Sequence, residues 1–206
     1  MRNLVRAAVV LAILVVTYWG WALAGAAQLA AAASHGDAEA VLQRVDLPAL
    51  RRSLAGQIAR AFLEQNPQFQ RMLPLERQFV GSVGSGAVDA VLREALTVEN
   101  IAALLGKGQI ELLKRPGQNA PAVLRMPPLV EAFRPGPLQA MMSSHFDGPL
   151  SFVVDLGSAE GRYQVHLRLS RTTWRLSGVD FPKDVSALLA REFVERVGGL
   201  TERHGG

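Results

Sequence analysis

Residues 152–179 read FVVDLGSAEGRYQVHLRLSRTTWRLSGV, and this stretch decides the fold class of the 206-residue chain. Apolar and polar residues alternate in three runs, which a glycine-bounded turn at residues 157–161 and a short turn at Arg171-Thr172 separate. Alternation with a period of two places side chains on opposite faces of a strand, and short turns join antiparallel neighbours. The stretch therefore predicts a three-stranded antiparallel meander with one apolar face.

Helical patterns precede this predicted sheet. In one segment an apolar residue recurs at every fourth position: Leu50, Leu54, Ile58 and Phe62. Asp46 is predicted to cap this amphipathic helix, and Pro48 falls in the first turn, where proline is tolerated. A shorter helix is predicted from a cap at Thr97 to a stop at Gly106. The order of helices followed by an antiparallel sheet predicts an α+β fold, with several helices packed on a small sheet.

Two further segments lie between and after these elements. Residues 114–139 hold most of the prolines, so an irregular connection is predicted there. Residues 185–197 predict a closing helix, and residues 199–206 a flexible tail.

The N-terminal segment is predicted to cross a membrane. Arg2 and Arg6 precede an uncharged apolar stretch at residues 7–24, which as a helix would span about 27 Å. Aromatic residues that favour the membrane–water interface lie at its end: Tyr18, Trp19 and Trp21. Because positive charge stays on the cytoplasmic side, the N-terminus is predicted to be cytoplasmic and the rest of the chain periplasmic, in a bacterial inner membrane crossed once.

A cleaved signal peptide is the alternative interpretation of this segment. Ala22-Leu23-Ala24 fits a small-x-small cleavage pattern. Bulky aromatic residues just before that site are unusual in a signal peptide, and no strong helix breaker follows before Gly36. A retained anchor is favoured, which gives three parts: an anchor or signal segment at residues 1–25, a single periplasmic α+β domain at residues 26–198, and the tail.

Composition restricts the function classes. The chain has no cysteine, which excludes disulfides, thiolate metal sites and cysteine nucleophiles. Its formal net charge is +4, but the arginines are spread in ones and twos without an aromatic-interleaved basic motif. A nucleic-acid partner is therefore not expected.

Three blocks of the sequence resemble one family of bacterial proteins. They are SHGDAEAVLQRVDLPALRRSL at residues 34–54, REALTVENIAALL at residues 93–105 and TTWRLSGVDFP at residues 172–182. In this order they resemble domain-of-unknown-function family 2939, whose members carry an N-terminal hydrophobic segment. The resemblance implies a membrane anchor, and it brings no known activity, so it assigns no catalytic residue. It singles out these positions: Asp37, Asp46, Pro48, Arg51 and Trp174.

A helix followed by a closing Trp-x-Leu strand is also similar to the cone-shaped nuclear-transport-factor-like fold, in which a curved sheet and helices enclose a pocket. This is an analogy of fold and implies no function. Within the motif, Asp46 and Arg51 are interpreted as organising a helix start rather than as a reactive pair.

Catalytic, cofactor and metal sites are not predicted. The four histidines lack the spacing that places two imidazoles on one metal, and no nucleophile motif is present. Arg162, His166 and Arg168 fall on one face of the second predicted strand. We interpret them either as a solvated sheet face or as an anion-binding face, for a lipid head group or for an acidic partner.

The leading hypothesis is a non-enzymatic, membrane-anchored cell-envelope domain that binds a partner protein or a small apolar ligand, with residues 7–24 in contact with lipid. The alternative is a hydrolase or transferase of unknown substrate with a pocket between sheet and helices. The alternative requires converging polar groups, such as His166 and Arg168 together with a carboxylate from residues 26–64.

Overall fold

Helices come first along the chain and a sheet comes last. A computed structural model describes residues 1–65, 92–93, 96–111, 123–158 and 161–192. The helices are α1 (Arg2–Ser34), α2 (Ala38–Gln43), α3 (Leu47–Gln65), α4 (Val98–Lys107) and α5 (Pro137–Met142), and residues 183–192 are also helical. The strands are β1 (Gln109–Glu111), β2 (Val123–Arg125), β3 (Ser144–Gly148), β4 (Ser151–Ser158), β5 (Gly161–Ser170) and β6 (Thr173–Asp180). The predicted tail at residues 199–206 lies outside the described residues.

The predicted meander is confirmed, and a fourth strand extends it. The strands pair antiparallel in the order β3-β4-β5-β6. Their alternating apolar side chains form the inner face of the sheet and are almost fully buried: Phe152, Val154, Leu156, Tyr163, Val165, Leu167, Trp174 and Leu176. The sequence of β3, SHFDG, shows no alternation because Phe146 is the single large apolar residue of this strand. The register between β3 and β4 also shifts, between Phe146 and Gly148. The fold is therefore α+β, as predicted.

The proline-rich segment is more regular than predicted. Its described part contains β2, a 3-10 helix at Leu129–Ala132 and α5, so the prediction of an irregular connection over residues 114–139 is wrong there. β2 pairs with β1 in a second, two-stranded antiparallel sheet. Strands of three residues are too short to give a periodic signal, which explains the error.

The predicted end of α4 is also wrong. Thr97 caps this helix as expected, since its Oγ1 accepts from the Asn100 N–H at 3.2 Å. The helix runs past Gly106 to Lys107, and the residue that caps its C-terminus is Gly108, whose φ of 73° is left-handed. Gly106 instead lies against α1, where a Cβ would fall 2.1 Å from the Ala33 carbonyl oxygen. This glycine permits close packing of two helices.

α1 is a single helix of 33 residues, about 50 Å long. It runs unbroken across residue 25, the predicted boundary between anchor and domain. Its first half is exposed, and its second half contributes these buried residues: Ala22, Gly25, Ala26, Leu29, Ala30 and Ala33. Among the described residues α1 is the one helix long and apolar enough to cross a membrane. α1 ends at Ser34, just before Gly36, and Asp37 caps α2.

α3 packs along β6, the edge strand of the sheet. The chain just before α3 continues that edge, because the Asp46 N–H donates to the Leu176 carbonyl and the Leu176 N–H donates to the Arg44 carbonyl, both at 2.8 Å. Leu54 and Ile58 face the shared core. The first turns of α3 are thereby fixed beside the outer face of the sheet, the face opposite the core.

Candidate functional site

A cleft of about 790 Å³ lies between the first turns of α3, the turn that joins β3 to β4, and the outer face of β5 and β6. Most of the side chains around it are polar or charged. The lining comprises Ala49, Arg52, Ser53, Gly148, Pro149, Leu150, Ser151, His166, Arg168, Ser177, Gly178 and Asp180.

Gly178 and an irregularity in β6 shape the floor of the cleft. A Cβ at Gly178 would lie 2.8 Å from Ser53 Oγ, so the absence of a side chain lets α3 approach the strand. The pairing of β5 with β6 shifts between His166 and Leu167, and Ser177 donates its hydroxyl to the His166 carbonyl at 3.2 Å. Asp180 is registered with Gln164 and His166 with Gly178, so His166 and Asp180 lie at diagonal positions on this face and their side chains can meet.

His166 and Asp180 form the central polar contact. His166 Nε2 lies 3.0 Å from Asp180 Oδ2, and Gln57 donates to Asp180 Oδ1 at 3.0 Å. The hydrogen bond from His166 lowers the pKa of Asp180 below its ordinary value of 3.8; burial opposes this shift, and the charges of His166 and Arg60 add to it. Asp180 is therefore ionised at neutral pH, and both of its oxygens have partners.

Gln57 connects this pair to the rest of the domain. Its Oε1 accepts from the Phe181 N–H and from the Ser186 hydroxyl, both at 3.3 Å. One side chain of α3 thus bonds to β6, to the residue after it and to the closing helix at residues 183–192. The position of Asp180 is consequently set by three elements.

The two arginines of the cleft have no acidic partner in the part of the chain that the structure describes. Arg52 donates from Nε to the Pro48 carbonyl at 3.2 Å, and its terminal nitrogens have no partner among the described residues. Arg168 is exposed and makes no ion pair with any residue that the structure describes. It stands directly opposite Arg175 in the register of β5 and β6, and opposite Ser151 in that of β4. Like charges at opposed positions of a sheet repel each other.

The structure brings together part of the predicted surface. His166 and Arg168 line the cleft, whereas Arg162 pairs with Gly157 at the other end of β5 and does not line it. Sequence reasoning missed Arg52, Ser53 and Asp180. Arg52 and Ser53 could be placed on the polar side of α3, but no sequence signal places that side against His166. His145 lies 3.6 Å from Asp155 (Nδ1 to Oδ2), apart from this group.

The residues that the family resemblance singles out have structural contacts. Asp37 accepts from the Ala40 N–H and Asp46 from the Ala49 N–H, each at 3.0 Å, so each carboxylate caps a helix. Pro48 is in the first turn of α3, and Arg51 is half-buried with an Nε that has no acceptor among the described residues. Trp174 is 1% exposed in the core.

An aromatic cluster joins α1 to the sheet next to the cleft. It consists of Tyr18, Trp19, Trp21, Phe146, Phe152 and Trp174. Tyr18 stacks on Phe146 with ring centroids 5.2 Å apart, and Trp21 lies edge-on to Trp174 at 6.0 Å. The Tyr18 hydroxyl donates to the carbonyl of Pro149, a residue that lines the cleft. The β3–β4 turn, which forms one wall of the cleft, is thus hydrogen-bonded to α1 where its exposed apolar half ends.

These features define an α+β domain built on an apolar N-terminal helix. The model of the family described as protein of unknown function (DUF2939) matches residues 11–104, which confirms the resemblance to that family. This segment includes the first block of the resemblance and all but the last residue of the second; the third block, at residues 172–182, lies outside it. Neither the curated proteins nor the solved structures give a match, so the nuclear-transport-factor-like arrangement stays a prediction.

Proposed function

We propose that this protein is a single-pass protein of a bacterial inner membrane, with a cytoplasmic N-terminus and a periplasmic, non-enzymatic domain that binds a partner. The observation that carries the proposal is the division of α1 into two halves. Large aliphatic residues of the first half are mostly exposed, including Leu11 at 62% and Val16 at 63%, whereas the second half is part of the core. An exposed apolar surface of this length is typical of a helix that crosses a membrane, which supports the proposal.

Contacts at the junction of the two halves support a retained anchor. Cleavage after Ala24 would remove Ala22, which is 0% exposed, together with Tyr18 and Trp19 from the aromatic cluster. The sheet would then lose its contact with the Tyr18 hydroxyl at Pro149. A signal peptide is not expected to contribute to the core of the mature domain, whereas an anchor helix that continues into the domain is.

The arrangement of charge supports binding rather than catalysis. The single carboxylate that lines the cleft already has two partners, and Arg52 and Arg168 remain unpaired among the described residues. Unpaired cations beside hydroxyl groups suit recognition of an anion. On the inner side of the sheet, Phe152, Tyr163 and Trp174 are almost fully buried in a packed core.

Single-cysteine labelling tests the proposed topology directly, because the natural chain has no cysteine. One variant carries Asn3→Cys in the exposed start of α1, and its matched counterpart carries Ser170→Cys at the exposed end of β5. With a membrane-impermeant maleimide on spheroplasts, we expect Ser170→Cys to react at once and Asn3→Cys to react after lysis. The intact mass of the membrane fraction should include residues 1–24.

Two outcomes would contradict the proposal. If the intact mass corresponds to a chain that starts near Gly25, and that chain is in the soluble fraction, the N-terminal segment is a cleaved signal peptide. Labelling of both thiols before lysis would exclude a cytoplasmic N-terminus.

A hydrolase is the second candidate function, and one observation favours it. The His166–Asp180 pair and the Ser53 hydroxyl line the same cleft, which meets the requirement for converging polar groups, although the carboxylate comes from β6 instead of residues 26–64. Ser53 and His166 share no hydrogen bond in the described structure, which counts against a nucleophile–base pair. Turnover of an ester or phosphoester by the full chain, lost on His166→Ala, would establish the hydrolase.

A further inference from the structure

The cleft combines unpaired cations with hydroxyl donors. Arg52 and Arg168 have no acidic partner among the described residues, and the hydroxyls of Ser53 and Ser151 line the same space. Guanidinium groups form pairs of parallel hydrogen bonds with phosphate oxygens, and such charge-assisted bonds are about twice as strong as neutral ones. The donor set therefore matches a phosphate group.

The position of Arg168 on the sheet is a second and independent observation. Arg168 on β5 is directly opposite Arg175 on β6, so the two side chains project side by side from the outer face of the sheet. A like-charged pair at opposed positions destabilises a sheet, and a bound anion between or beside the two cations removes that repulsion. Asp180 does not supply this compensation, because it is already engaged by His166 and Gln57.

The wall of the cleft lies at the level of the aromatic end of α1. Pro149, in the β3–β4 turn, accepts the Tyr18 hydroxyl, and Leu150 in the same turn is 51% exposed. Tyrosine and tryptophan at the end of an apolar helix favour the depth of the lipid head groups. A ligand in the cleft is therefore beside the head-group layer once α1 is in the membrane.

We propose that this cleft binds the phosphate group of an anionic lipid head group. The inference rests on the proposed membrane anchor, since the anchor brings the cleft to the lipid surface. Arg52 from α3 and Arg168 from β5 hold the phosphate from two sides, and Ser53 and Ser151 donate to its remaining oxygens. Each basic residue near an anionic leaflet adds attraction for the same ligand.

Native mass spectrometry of the full chain in detergent tests this site. The probes are phosphatidylglycerol, phosphatidylcholine as a lipid without net charge, and inorganic phosphate. We expect saturable binding of phosphatidylglycerol that is about tenfold tighter than that of phosphatidylcholine. Arg52→Gln and Arg168→Gln should each weaken it by about tenfold, because each loses a charge-assisted contact.

Arg162→Gln is the matched control. Arg162 is exposed on the same strand and the same face as Arg168 but does not line the cleft, so binding should be unchanged. A loss as large as that of Arg168→Gln, or equal affinity for the two lipids, would overturn the proposal. Inorganic phosphate binding that depends on both cleft arginines, with no lipid binding, would overturn the lipid as the source and assign the site to soluble phosphate.

Failure of this inference is distinguishable from failure of the proposed function. If cysteine labelling shows a retained anchor and no lipid binds, the phosphate site alone is wrong. If the anchor is cleaved, the proposed function is wrong, and the inorganic phosphate arm still reports on the cleft.

Discussion

The two halves of α1 are both apolar, but they differ in side-chain size and in their surroundings. The first half carries large aliphatic residues that are between 51% and 75% exposed: Leu4, Val5, Val9, Val10, Leu11, Ile13, Leu14, Val15 and Val16. The second half is mostly alanine and lies in the core of the domain. An uncharged, apolar composition alone therefore does not separate the part of a helix that is exposed from the part that packs in the domain.

Side-chain size separates the two halves. Small residues on the second half let neighbouring elements approach closely, as at Gly25, where a Cβ would lie 2.8 Å from the Cβ of Trp174. At Gly20 an added Cβ would have no atom of the described residues within 4 Å. Aromatic contacts with the sheet begin at Tyr18, and the fully buried part of α1, which begins at Ala22, consists mostly of small residues. Substitutions on either side of this junction test the difference.

The largest effect is expected from Leu29→Ala in the buried half. Leu29 is 0% exposed, so its truncation removes buried surface and leaves a cavity, which costs about 2–5 kcal/mol in the free energy of unfolding. Leu14→Ala, at a residue that is 60% exposed, should change domain stability by less than about 0.5 kcal/mol. Chemical denaturation in detergent, followed by the near-UV signal of the tryptophans, measures both. Equal losses would show that the two halves do not differ in packing.

Glycine-to-alanine substitutions are expected to change the free energy of unfolding by a smaller amount. The change should be a loss in the buried half and no change or a gain in the exposed half. Gly25→Ala places a methyl group against Trp174 and should destabilise the domain by about 1–3 kcal/mol. Gly20→Ala has free space and should leave stability unchanged or raise it by up to about 1 kcal/mol, because alanine favours a helix. Melting temperatures of the two variants give the comparison. A stabilising Gly25→Ala would contradict the close contact with Trp174.

The smallest effect is expected where the two halves meet. Tyr18→Phe removes the hydrogen bond to the Pro149 carbonyl but keeps the ring on Phe146, and should cost about 0.5–1.5 kcal/mol. Hydrogen exchange should become faster at residues 148–151 in the β3–β4 turn. Thr17→Val is the control, because the Thr17 hydroxyl bonds within α1 to the Ile13 carbonyl. Unchanged exchange in Tyr18→Phe would show that this hydrogen bond does not hold the turn.

The parts of the fold that the sequence predicts correctly are those with long periodic patterns or local caps. The alternation from Tyr163 to Leu169 predicts β5, and the carboxylate of Asp46 predicts the start of α3. β3 and the pair of β1 and β2 are missed because their stability comes from pairing with partners distant in sequence. The role of Gly106 is missed for the same reason: a contact with Ala33 leaves no local pattern.

The candidate site is predicted in part, and the missing part depends on tertiary contacts. Alternation on β5 correctly places His166 and Arg168 on one face, but it cannot distinguish them from Arg162, which lies outside the cleft. That distinction depends on where α3 crosses the sheet. The crossing is set by the pairing of Val45 with Leu176 and by the space above Gly178, neither of which a single sequence displays.

The bond from Tyr18 to Pro149 joins positions 131 residues apart, which has a consequence for biosynthesis. On the proposed topology α1 emerges first, and the sheet that covers its second half emerges nearly last. The second half of α1 therefore stays exposed during translation. The core of the domain can form only after β6 has been exported. Alanine exposes little apolar surface per residue, so a waiting helix of this composition attracts chaperones and other chains less than a leucine-rich one would. The small residues that permit close packing in the folded domain thus also protect the nascent chain.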